Sequence, residues 1–68
     1  MKITTSYITL GQLLKFVGIA GSGGDIKYLL SETDITVNKE VERRRGRKLY
    51  PGDVVVVNNE EIIIENDN

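Results

Sequence analysis

Two hydrophobic periods run along the chain, and they change over at Asp34. Before it, Leu10, Leu13, Leu14 and Val17 recur at i, i+3, i+4 and i+7, one apolar face of a helix over 10–17. Thr9 opens this helix with a Thr-x-x-Gln capping box, and Gly18 is placed to stop it in a left-handed conformation. GIAGSGG (18–24) reads as a tight connector, and Ser22 with Asp25 gives a second, weaker cap. DIKYLLSE (25–32) then sets Ile26, Leu29 and Leu30 on one helical face, with Lys27 and Tyr28 on the other side. Beyond Asp34, Ile35 and Val37 alternate with Thr36 and Asn38, and Val41 returns after a turn at Lys39-Glu40. Pro51-Gly52-Asp53 is a turn signal, Val54–Val57 a buried strand, Asn58-Asn59 a turn and Ile62–Ile64 a final strand. Ile3 to Ile8 alternates loosely as a leading strand, and residues 66–68 are expected to fray. The pattern predicts an α+β fold, two short N-terminal helices packed on a small, mostly antiparallel sheet, with residues 1–68 as a single domain.

Composition narrows the function classes. A chain of 68 residues with 40% hydrophobic content has room for one small core. It contains no Cys and no His, which rules out disulfides and removes the usual zinc ligands, bases and nucleophiles. Glu60-Glu61 reads as a solvated turn rim, and no loop shows the oxygen-ligand spacing of a hard-cation site. Catalysis, cofactors, metals and a small-molecule substrate are therefore not expected. No apolar run approaches the roughly 20 residues that span a bilayer, and no charged-then-apolar leader opens the chain. A cytoplasmic protein without a membrane partner is the expectation.

Charge changes the picture more. The net value of -1 conceals a split, because residues 1–48 hold all nine Lys and Arg against five acids, while residues 49–68 hold five acids and no base. EVERRRGRKLYPGD (40–53) concentrates the positive charge in Arg43, Arg44, Arg45, Arg47 and Lys48. Gly46 and the Pro51-Gly52 turn keep these cations between strands rather than on a tail, and the planar Arg fork suits phosphate. A polyanion-binding loop is favoured over a merely solvated one. The glycines at 18, 21, 23 and 24 form neither GxxxxGK[ST] nor GxGxxG, so only helix-two amides near Ser22 remain as a phosphate holder, weighed against a plain helix–helix turn.

LGQLLKFVGIAGSGGDIKYLL followed by ITVNKEVERRRGRKLYPGD resembles the RNA-binding domain named after the fourth protein of the small ribosomal subunit, the S-four domain or alpha-L motif. The likeness covers roughly 8–57 and is closest to the small stand-alone bacterial (YaaA-like) members. The resemblance implies RNA, usually ribosomal or transfer RNA, lying across the two helices and the hairpin, and a role in ribosome assembly. Carried over by position, it implies contacts from Lys15, Ser22, Lys27 and Asn38, then Arg43, Arg44, Arg45, Arg47 and Lys48, with Lys39 of the hairpin expected to join them. Three positions depart from the family pattern. Gly23 stands where many members carry Arg, Ile26 replaces the usual Ala, and Lys39 replaces the Gly of V-N-G, adding a cation to a turn that favours positive φ.

Two other classes compete. A protein-interaction module would dock the acidic half (Asp53 to Asp67) on a basic partner, ribosomal or otherwise. A ubiquitin-like sulfur carrier, which VNKEVE…LYPGDVVVV also resembles, needs a terminal Gly-Gly where this sequence reads Asn-Asp-Asn. The RNA-binding reading leads.

Overall fold

The computed structural model describes residues 1–18 and 23–67, with the backbone alone for 23–25. Its elements are β1 (Lys2–Ile3), β2 (Ile8–Thr9), α1 (Leu10–Phe16), α2 (Gly23–Glu32), β3 (Thr36–Val37), β4 (Glu40–Val41), β5 (Lys48–Leu49), β6 (Val54–Val57), β7 (Glu60–Ile63) and β8 (Glu65–Asn66). The class is α+β with mostly antiparallel pairing. The helices are not chain-leading, however, because two short strands precede them. The expected strand over 3–8 divides into β1 and β2, which join different partners.

The capping box forms as the sequence predicts. Thr9 Oγ1 accepts from Gln12 N at 3.3 Å, and Gln12 Oε1 accepts from Thr9 N at 2.9 Å. Gly18 takes φ +76°, the left-handed stop, and donates to the Lys15 carbonyl at 3.1 Å. Val17 is the C-cap, already outside the helical turn, and lies 39% exposed rather than joining the apolar face of α1.

The main sheet has the order β4-β3-β6-β7, all antiparallel. Both of its hairpins turn on two residues of positive φ, Asn38 (53°) with Lys39 (72°) and Asn58 (51°) with Asn59 (67°). That geometry matches the twist of the flanking strands. The first turn sits one residue earlier than the alternation suggests. Tyr50 to Asp53 closes with Gly52 at φ +98° and Asp53 N on the Tyr50 carbonyl at 3.0 Å, the arrangement of a type II turn.

Val54–Val57 alternates half-buried and buried, so the strand presents one face to the core instead of being enclosed on both. The far end of the chain is also paired. Glu65–Asn66 runs parallel to Lys2–Ile3, and Asp67 N donates to the Ile3 carbonyl at 2.9 Å. Ile3, Leu10, Leu13, Leu14, Ile26, Leu30, Ile35, Val37, Leu49, Val55, Val57 and Ile64 gather with Ile8 in one buried cluster beneath both helices and the sheet.

Candidate nucleic-acid interface

The arginine-bearing segment between β4 and β5 is laid across the start of α1. Gly11 N donates to the Arg45 carbonyl and Leu10 N to the Arg47 carbonyl, each at 2.9 Å. Helix N-termini leave their first amides without intrahelical partners, and here loop carbonyls take two of them. The loop backbone passes close beside residue 11. A Cβ there would stand 3.4 Å from the Arg45 carbonyl oxygen and 3.8 Å from Ile26 Cδ1.

Glu42 organises the loop from within. It is 7% exposed, and its Oε2 accepts from the backbone amides of Arg43 (3.1 Å) and Arg44 (3.3 Å) and from Arg44 Nε (3.1 Å). Its Oε1 accepts from Arg44 Nη2 at 3.1 Å and Arg47 Nη1 at 2.9 Å. The Arg44 hydrogen bond, joined by that of Arg47, outweighs burial and holds the carboxyl down at about 2. Glu42 is thus a fixed anion around which two guanidinium groups are arranged.

Arg43 turns the other way. Its Nη1 donates to the carbonyls of Leu30 (2.9 Å) and Ser31 (3.3 Å), and its Nη2 reaches Asp34 Oδ1 at 3.4 Å. The last turn of α2 contains no basic residue, so Arg43 supplies from the loop the cation that this helix end favours.

Among the remaining cations, Arg45, Lys15 and Lys27 have no hydrogen-bond or ion-pair partner among the described residues. Arg45 stands between the other two. One groove of about 450 Å³ is lined by Lys27, Arg43 and Arg45 with Leu30 and Ser31. A second of about 260 Å³ joins Arg45 to Lys15, Gln12 and Ile26. Arg44, Arg47, Lys48 and Tyr50 line a third, of about 500 Å³.

Asn38 and Lys39 line none of these grooves. Asn38 is engaged within the protein, with Nδ2 on Asp53 Oδ1 at 3.1 Å and Oδ1 accepting from Val54 N at 2.9 Å. Ser22, and with it the phosphate role considered for the start of helix two, lies outside the described residues. Among those residues no helix is long and apolar enough to cross a membrane, and no three His, Cys, Asp or Glu side chains form a metal-holding group.

Comparison with known proteins bears on this arrangement. A family model described as "S4 domain" matches residues 1–65. The chain belongs to the S4-domain family. It is also 53% identical, over 57 residues, to the "Probable ribosome maturation protein RlbA" of Bacillus subtilis (strain 168), an alignment spanning 84% of this chain and 80% of that relative. No solved structure matches it. This is the RNA-binding family that the helix and hairpin motifs resemble, and in this S4 domain the cations divide into two groups. Arg43, Arg44 and Arg47 hold protein groups while also lining grooves, whereas Lys15, Lys27 and Arg45 line grooves without a partner among the described residues. Two residues of the S4 domain escape sequence reading. Glu42 looks like one more member of a charged run, and alternation from exposed Glu40 gives no hint of its burial. Gly11 is hidden inside a helical period that continues across it.

Proposed function

We propose that this S4-domain protein binds structured RNA, ribosomal RNA in particular, and serves ribosome assembly in the cytoplasm without catalysing a reaction. The observation that carries this reading is the convergence of Lys15, Lys27 and Arg45 on adjoining grooves where α1, α2 and the arginine loop meet. Cations fixed on rigid elements position a phosphate backbone, and RNA helices are read mainly by shape and by phosphate and 2′-OH contacts. The ribosome enters through the similarity to a protein named for ribosome maturation. Exposed Glu60, Glu61 and Glu65 on β7 and β8 would repel RNA from the sheet side, restricting it to the helical face. A ribosomal protein beside the bound RNA is compatible with that acidic side as a second contact.

Ultraviolet crosslinking in cells, followed by sequencing of the attached RNA, tests the reading. Crosslinks concentrated in ribosomal RNA, and mapped on the protein to α1, α2 and residues 43–48, are expected. Crosslinks to unrelated RNAs alone would remove the ribosomal assignment, and an absence of RNA would remove the function.

A further inference from the structure

The β2–β5 ladder carries a feature that the phosphate-gripping cations do not use. Ile8 pairs with Leu49 and Thr9 with Lys48, so the register sets Tyr7 opposite Tyr50 one step beyond the ladder. Alternation sends Ile8 and Leu49 into the core, at 7% and 0% exposure, and leaves Tyr7, Lys48 and Tyr50 on the outer face. The two rings lie 5.8 Å apart at a tilt of 46°, and Lys48 Nζ sits 5.0 Å from the centre of the Tyr7 ring. Tyr50 is 48% exposed. It lines the same groove as Arg44, Arg47 and Lys48, so this aromatic surface adjoins the arginine loop.

We propose that Tyr50, flanked by Tyr7 and Lys48, is a stacking platform for an unpaired nucleobase of the RNA whose backbone the neighbouring cations hold. Aromatic rings stack on bases of any identity, and a lysine on the same face can take the adjoining phosphate. The rings pack on each other at a tilt, and Tyr50 stays about half exposed, so part of it remains open to a base. The occupant is a single-stranded nucleotide next to a structured element, because a paired base has no free face to offer. This inference rests on the RNA-binding reading and adds to it a preference for a junction between paired and unpaired RNA.

The test compares a blunt RNA stem with the same stem carrying a short single-stranded tail, using wild type, Tyr50→Leu, Tyr50→Phe and Arg45→Ala. Wild type should prefer the tailed stem by about tenfold, the scale of one base–aromatic stack. Tyr50→Leu keeps apolar bulk without a π face and should abolish the preference, while Tyr50→Phe should retain it. Arg45→Ala should weaken both RNAs alike. An unchanged preference in Tyr50→Leu, or equal binding of both stems by wild type, would overturn the platform while leaving RNA binding in place. Failure of wild type to bind either stem would overturn both.

Discussion

Glu42 and Arg44 meet fork to fork, Nε on Oε2 and Nη2 on Oε1, each at 3.1 Å. The pairing is bidentate, and the carboxylate side of it is buried. A run of cations that looks uniform is therefore arranged around an internal anion.

Acid should loosen this arrangement. The Glu42 carboxyl lies at about 2, against an ordinary value of 4.5. A lowered folded-state value contributes stability that is complete above the ordinary value and is lost as pH falls toward the folded one. Glu42→Gln should cost about 2 kcal/mol at neutral pH, the scale of hydrogen bonds to a charged group. The difference between wild type and variant should shrink steadily from about pH 5 to about pH 2 as protonation removes the same charge. Denaturant unfolding at a series of pH values measures this, and a difference independent of pH would contradict the ionic role.

Neighbouring arginines should behave differently. Arg43→Ala removes the donor to two carbonyls at the end of α2 and should cost about 1 kcal/mol, which for a domain of this size lowers Tm by roughly 4–8 °C. Arg45→Ala removes a side chain without a described partner and should stay within about 0.5 kcal/mol of wild type. Thermal unfolding followed by circular dichroism decides between them. Equal losses would mean that Arg45 is also structural.

Gly11 lies against the backbone of the loop. An added Cβ would make contacts of 3.4 and 3.5 Å with Arg45, so Gly11→Ala should be nearly neutral. Gly11→Leu must push the Arg45 backbone away and should cost about 1–3 kcal/mol by overpacking. RNA affinity should fall in the Leu variant beyond what its remaining folded fraction explains, since Arg45 leaves the junction of the grooves. Binding measured well below its Tm would show this.

Lys39 occupies φ +72° in a turn that glycine fits better. Lys39→Gly should raise stability by about 0.5–1 kcal/mol, the relief of left-handed strain less the added freedom of the unfolded chain. A loss of stability would show that the Lys39 side chain makes a compensating contact.

The pattern of legible and illegible features has a physical cause. Thr9, Gln12 and Gly18 act over three or four residues, so the ends of α1 can be read directly from the chain. Gly52 likewise declares its turn. The pairing of Lys2–Ile3 with Glu65–Asn66 joins the two ends of the chain through strands too short to carry a period, and nothing local announces it. At the candidate site, residue type revealed where positive charge accumulates but not which charges the fold consumes. Arg43 is drawn to a helix end and Arg44 to a buried carboxylate, and both partners are defined by tertiary position. Asn38 looks like a hairpin contact and instead joins Asp53 and Val54, fifteen or sixteen residues away.

Lys15, Lys27 and Arg45 are expected to hold the RNA backbone from the groove face, whereas Arg43, Arg44 and Arg47 chiefly build that face. Titration of a structured ribosomal RNA fragment at several salt concentrations, with wild type beside a Lys15→Ala, Lys27→Ala, Arg45→Ala variant, decides whether they do. The variant should keep the wild-type Tm, bind more weakly, and lose about one unit of log K against log salt slope for each side chain removed. A variant that is equally stable and binds RNA with the wild-type affinity and slope would contradict the claim.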